Sequence, residues 1–329
     1  MKSVTNAMFL LFVTVVVLGL MAGCADQTAS ADAEASSVEA RTYRFVVIPK
    51  VVHPWFDQVN HGAQETATAL SAATGHTFEI DYRAPETADV VVQNEIIERA
   101  IATRPDGIAV DLLDPDANRV LLREALDQGI PVVIFDSESP EGMGLTKVGN
   151  DFYQQGVIAS ERLAELLNYE GRVAIMQGVP TAPNHRIRAE AHRDVFARYP
   201  GIEVVAEGID NDSIEQAQQQ AAAIMSAHPD LDGFVATNAA GPIGIGLAIR
   251  EAGRVGDVLH VGMDDLNQLV ELIADGVVES SSSTKPKMQG SWTVITLWME
   301  TLGIPTPMEI DTGIAIVTRE LAEGEYTGF

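Results

Sequence analysis

Four polar side chains stand where short apolar runs end. D-G-I-A-V-D at 106–111 ends in Asp111 and P-V-V-I-F-D at 131–136 in Asp136; G-F-V-A-T-N at 233–238 ends in Asn238 and V-L-H-V-G-M-D at 258–264 in Asp264. The spacings, 25 residues in the first pair and 26 in the second, form a weak internal repeat. In open parallel sheets a ligand binds beyond the carboxyl ends of the strands, where such groups accept and donate hydrogen bonds. The same residue types also cap the helices that follow strands, and Asp111 is read as such a cap. Other chemistries lack their residues. There is no G-x-S-x-G elbow, P-loop or H-E-x-x-H, and the seven histidines contain no i, i+4 pair to hold a metal on a helix. G-P-I-G-I-G at 241–246 is not the dinucleotide fingerprint, since Ile249 falls where the third glycine would stand; its glycines are read as allowing close helix packing. No catalytic residue, metal or cofactor is expected.

The elements that must position these groups alternate between strand and helix, twice over. Y-R-F-V-V-I-P at 43–49 is followed by a helical stretch from about Pro54, F-E-I-D-Y at 78–82, a helix near 88–103, the strand at 106–111, a helix near 115–128 and the strand at 131–136. The second half runs from G-R-V-A-I-M-Q-G at 171–178 through a helix near 184–198, I-E-V-V-A at 202–206, a helix near 213–227, the strand at 233–238 and a helix near 242–252 to the strand at 258–264. Apolar runs alternating with amphipathic helices predict an α/β fold of two lobes, each a parallel sheet with helices on both faces.

The first forty residues read as an address. Lys2 precedes an apolar run at 7–20, too short to span a membrane comfortably but suited to a signal-peptide core. L-M-A-G-C at 20–24 resembles a bacterial lipobox, which implies cleavage after residue 23 and lipid on Cys24, the only cysteine. Residues 24–40 are small and polar and read as a flexible tether. The chain carries 47 acidic against 21 basic residues, a net charge of −26. Removing residues 1–23, with Lys2 as their one charge, makes it −27. So acidic a chain is not a nucleic-acid binder, whose affinity comes from Lys and Arg on phosphates. The acid excess, with only five lysines, also fits life at high salt, where screening relieves self-repulsion.

Several segments of the body resemble periplasmic sugar-binding proteins of the ribose-binding type. H-P-W-F at 53–56 is similar to that family's Asn-Pro-Phe-Phe motif, V-V-I-F-D-S-E-S-P at 132–140 to its strand ending in a ligand Asp, and V-G-N-D-F-Y-Q-Q-G at 148–156 to the segment after its first crossover. N-H-R-I-R-A-E at 184–190 resembles the helix start that carries a ligand arginine; A-H-P-D-L-D-G-F-V-A-T-N at 227–238 and V-G-M-D-D at 261–265 follow in the family's order. The resemblance covers roughly residues 43–318. It implies two Rossmann-like lobes joined by a three-stranded hinge, one of about 41–150 plus 285–312 and the other of 151–284 plus 313–329, with a ligand cleft between them. It also implies an extracytoplasmic, monomeric protein that captures a sugar or polyol by hinge closure and delivers it to the membrane permease of an ABC importer. A ligand sensor of the same fold, feeding a chemoreceptor or sensor kinase, is the alternative; an α/β enzyme and a repressor rank lower, the latter because a signal peptide stands where a DNA-binding helix-turn-helix would be.

Sugars present hydroxyls and apolar C–H faces, so a site needs carboxylates, planar donors and aromatic walls. By the resemblance Trp55 and Phe56 supply walls, Trp55 the better stacking surface and one of the two packing at a helix start. Asp136 and Asp264 accept hydroxyl hydrogens, Asn238 donates and accepts, and Arg186 donates through its fork, with a surface ion pair as its other reading and Arg188 as its competitor. The sequence departs from the family at His53 in place of Asn, Ser137 in place of Arg, Asp212 in place of an aromatic, Ala239 in place of an acid and Thr284 near a usual Gln. His53, Ser137, Asp212 and Thr284 are therefore included in the expected site, His53 as either cap or ligand contact. These departures favour another pentose, a hexose, an inositol or a modified sugar over ribose.

Overall fold

The computed structural model describes residues 39–324 together with 326 and 328. Cys24 and the signal and tether segments up to residue 38 lie outside the described residues. No helix among the described residues is long and apolar enough to cross a membrane.

The first sheet is built from β1 (Thr42–Ile48), β2 (Thr77–Tyr82), β3 (Gly107–Val110), β4 (Val132–Phe135), β5 (Lys147–Gly149) and β11 (Glu309–Asp311), in the order β2-β1-β3-β4-β5-β11. The second contains β6 (Glu170–Gln177), β7 (Gly201–Ile209), β8 (Gly233–Ala236), β9 (Leu259–Met263), β10 (Ser280–Ser283) and β12 (Ala315–Thr318), in the order β7-β6-β8-β9-β10-β12. The two orders are the same permutation, so the lobes repeat one topology. All pairings are parallel except β10 with β12. In both sheets the strand order reverses at the first strand, and the carboxyl ends of that strand and its neighbour make the crevice where ligands of such sheets sit.

The helices are α1 (Pro54–Thr74), α2 (Val90–Ala102), α3 (Pro115–Asp127), α4 (Phe152–Leu166), α5 (Pro183–Phe196), α6 (Ile214–Ala227), α7 (Ala240–Glu251), α8 (Asn267–Ala274), α9 (Pro286–Thr301) and α10 (Arg319–Glu323). β3 and β4 are buried at every position, as strands covered by helices on both faces must be. The chain passes from the first sheet to the second after β5, back to a helix of the first lobe after β10, and across again between β11 and β12. That returning helix, α9, crosses α1 at two glycines: a Cβ on Gly62 would lie 2.0 Å from the Lys287 carbonyl oxygen, and one on Gly290 2.0 Å from that of Val59.

One strand has no apolar signal. β10 is four consecutive serines, all buried. Its hydroxyls are satisfied locally: Ser281 donates to the Asp264 carbonyl at 2.6 Å and Ser283 to that of Thr284 at 2.9 Å. Hydrogen bonding replaces apolar contact there, which is why a search for apolar runs passes over this strand.

Candidate functional site

The crevices of the two sheets face each other, and their loops enclose a pocket lined by Lys50, His53, Trp55, Phe56, Asp136, His185, Arg188, Asp212, Asn238, Ala239 and Asp264. The cavity these side chains enclose is about 10 Å³, room for about one water and far below the usual range of about 300–1,000 Å³ for an open ligand site.

On the first-lobe side, Lys50 follows β1 and is 1% exposed; its ammonium donates to both Asp111 oxygens, at 2.7 and 2.6 Å, and to Asp136 Oδ2 at 3.3 Å. Burial opposes the charge on Lys50, but the carboxylates of Asp111 and Asp136 outweigh it and its pKa rises. Asp111 is thus half of a buried ion pair. The cap of α3 is Asp114, whose carboxylate accepts from the Asp116 and Ala117 amides; the reading of Asp111 as a cap is corrected, the helix beginning one turn later than that reading needs. Asp136 ends β4 with φ of 43°, a left-handed conformation that Asp tolerates better than most side chains and that turns its carboxylate into the cleft. Its Oδ2 also accepts from Asn184 Nδ2 of the second lobe at 2.9 Å, while the buried Oδ1 has no hydrogen-bond partner.

His53 is the N-cap of α1, its Nδ1 accepting from the Trp55 amide at 3.2 Å. Its buried Nε2 has no partner, so one ring nitrogen serves the helix and the other is left for the pocket. Trp55 and Phe56 meet edge to face with centroids 5.0 Å apart. The Trp55 indole donates to Thr284 Oγ1 at 3.0 Å, and Thr284 donates to Asp264 Oδ1 at 2.5 Å. Thr284 therefore positions Asp264 and Trp55 without lining the pocket itself. The side chain of Ser137 turns away, its hydroxyl donating to the Leu112 carbonyl at 3.3 Å.

On the second-lobe side, the pocket arginine is Arg188. It is 2% exposed, its Nε donates to Gln155 Oε1 at 2.9 Å, its Nη1 to the Thr237 carbonyl at 3.2 Å, and its Nη2 lies 4.0 Å from Asp136 Oδ1. The guanidinium also sits 5.0 Å over the Phe152 ring. Arg186 is exposed on the other face of α5, so the expectation that it faces the cleft is corrected. With 3.6 residues per turn, Asn184 and Arg188 share a face and Arg186 points away. That periodicity was the signal available for choosing between the two arginines.

His185 accepts from the Val179 amide through Nδ1 at 2.8 Å, and burial drives its pKa down to about 3, so it is neutral. Gly178 makes room for it: a Cβ there would lie 2.4 Å from Nδ1. Asn238 donates to Asp210 and Asp212, each at 2.8 Å, and its buried Oδ1 is unpartnered. Burial, reinforced by the Asp212 charge, pushes Asp210 up to about 8. Burial also opposes the Asp212 carboxylate, but His53, Lys50 and the Asn238 amide bring its pKa below the usual value. Asp264, in the left-handed region at φ of 66°, is raised by burial to about 6 despite Arg188 and Thr284.

Lys50, Asn184 and His185 were not singled out in the sequence as site residues. For Lys50 a signal existed, since it is one of five lysines in an acidic chain and stands at the end of a strand. Among the described residues no cluster of three metal-ligating side chains occurs.

A polar pocket between two lobes of identical topology matches a known family over most of the body: residues 44–303 fit the periplasmic binding protein domain. The chain belongs to the periplasmic binding protein family. Within it, the chain is 25% identical over 300 residues to a xylose/arabinose-binding protein of Sulfolobus acidocaldarius, covering 85% of this chain and 72% of that one. It is 28% identical over 242 residues to a D-ribose/D-allose-binding protein of Pseudomonas aeruginosa, covering 72% and 75%. A crystal structure of an ABC transporter solute-binding protein from Burkholderia graminis in complex with D-arabinose superposes with a TM-score of 0.80 at 28% identity, covering 86% of this chain and 97% of that one. The α/β fold of two mostly parallel sheets is that of these type 1 binding proteins.

Proposed function

We propose that the protein captures a monosaccharide or related polyol between its lobes and delivers it to the permease of an ABC importer, doing no chemistry on it. The observation that carries this is the set of unpartnered polar atoms on pocket-lining residues: His53 Nε2 and Asp136 Oδ1 from the first lobe, Asn238 Oδ1 from the second. Buried polar groups are costly unless hydrogen-bonded, and a fan of hydroxyls would satisfy all three at once. Asp136 and Asp264 serve as acceptors for paired hydroxyls, Arg188 as the fork donor, Trp55 and Phe56 as walls, and Asp212 and His53 as the residues that tune which hydroxyl pattern fits. Ser137 and Thr284 act behind them, by anchoring the loop after β4 and by holding Asp264.

The lobes in this reading are 41–150 plus 285–312 and 151–284 plus 313–329, with the hinge at the three crossings. The protein works outside the cytoplasm as a monomer, held to the membrane by lipid on Cys24 after removal of residues 1–23, and binds no nucleic acid. Intact-mass measurement of the membrane-extracted protein tests the anchor, which fails if Cys24 carries no lipid.

The functional test is a thermal-shift screen against pentoses, hexoses, polyols, inositols and amino acids. A true ligand at about a hundred times its Kd adds about 2.7 kcal/mol of stability. A stabilising sugar whose effect survives both Asp136→Ala and Arg188→Ala would remove this site from consideration, and turnover of the sugar would replace the binding reading with an enzymatic one.

A further inference from the structure

Two apolar clusters draw side chains from both lobes. In one, Leu113 of the loop after β3, with Ala88 and Val90 at the start of α2, packs against Val179 and Ala182 of the loop before α5. In the other, Trp55 and Phe56 of α1 pack with Ala239 at the head of α7 and Leu266 at the head of α8. Leu266 also packs against the core of its own lobe, so it touches the apolar interiors of both. Both clusters adjoin the polar pocket: Leu113 follows Asp111 by two residues, and the Val179 amide donates to the pocket histidine His185. Leu113, Val179 and Leu266 are not among the side chains that line the pocket.

We propose that these two contacts are clasps that set how readily the cleft closes, and that Leu113, Val179 and Leu266 within them tune affinity without touching the ligand. The inference rests on the reading that ligand is held by hinge closure. Contacts between the lobes exist only when the cleft is shut, so their apolar burial favours the closed conformer alone. Apparent affinity scales with the fraction of molecules in the competent conformer. A clasp residue is therefore a positioning residue. It changes the affinity for every ligand by one common factor, whereas a residue that contacts ligand alters the ratio between ligands.

The test uses Leu266→Ala, Val179→Ala and the double variant in the purified protein, with Leu266→Met as the conservative control. D-xylose, D-arabinose, D-ribose and D-allose are titrated by calorimetry, and the radius of gyration is measured without sugar by small-angle X-ray scattering. Each single change is expected to raise Kd about fivefold for every sugar that binds, the double variant by roughly the product, and Leu266→Met by less than twofold. The ranking of sugars stays fixed, and circular dichroism stays native. A double variant with Kd within twofold of the parent, or a factor that differs between sugars, overturns the proposal. If none of the four sugars binds the parent protein, the sugar reading fails separately and scattering decides. Expansion of the ligand-free double variant then upholds the clasps, and an unchanged radius refutes them.

Discussion

The strand ends of the two lobes share a backbone and differ in charge. Asp136 after β4 and Asp264 after β9 both occupy the left-handed region, each about 25 residues beyond another polar strand end. In the first lobe that partner is Asp111, and both carboxylates are held by the buried ammonium of Lys50. In the second lobe the partner is Asn238, which turns to Asp210 and Asp212, and Asp264 is held by the neutral hydroxyl of Thr284. No lysine of the second lobe answers Lys50 there: Arg188 stands 4.0 Å from the first-lobe Asp136. One scaffold thus carries a half whose carboxylates close on a buried ammonium, with Asp111 still raised by burial, and a half in which burial raises Asp264 to about 6 and Asp210 to about 8 while Asp212 is lowered. Asp264 and Asp210 are therefore the second-lobe carboxylates whose titration should be felt near neutrality.

The strongest way to break this contrast is Asp136→Ala. It removes the acceptor shared by Lys50 and Asn184, and losing one member of a buried charge cluster costs about 3–5 kcal/mol. Binding should fall by at least about a hundredfold, read by calorimetry, with a lower thermal midpoint; an affinity within tenfold of the parent would mean that the half holding Lys50 is not where ligand is held. Arg188→Ala comes next, expected to weaken binding by about tenfold or more through loss of a buried charged donor, whereas Arg186→Ala on the exposed face should stay within about 0.5 kcal/mol in stability. Equal effects of the two would undo the assignment of the pocket arginine.

Asp264→Asn sharpens the pH claim. At pH 7.5 it should weaken binding several-fold. In the parent protein Asp264 takes up a proton below about 6, so affinity falls about fivefold between pH 6 and pH 5, and the variant should lose this dependence. A pH-independent parent from 7.5 to 5 would contradict it. The smallest effect is on ligand-free stability. Asp210 has a folded pKa above its unfolded one, so its stabilising protonation is fully present at low pH and lost as pH rises through about 8. The thermal midpoint should therefore decline between pH 6 and 8, by no more than about 1.4 kcal/mol of stability per pH unit from this group, and Asp210→Asn should flatten that decline.

Local sequence determined a good deal of this protein. The alternation of apolar runs and helical stretches placed β1 to β4 and β6 to β9 within a few residues, because strand and helix periods are properties of consecutive residues. It also marked Asp136, Asn238 and Asp264, since a polar residue closing a buried strand stands out in one short window. What it left open depended on partners far along the chain. Whether Asp111 caps a helix or holds an ion was decided by Lys50, 61 residues earlier. That the Trp55 indole N–H is spent inside the protein was decided by Thr284, 229 residues later. Four serines became a buried strand because β9 and β12 flank them and their hydroxyls found acceptors. Hydrogen bonds and ion pairs of this kind carry no periodicity, and burial, which gives them their energy and shifts the pKa values, exists only once the chain has folded.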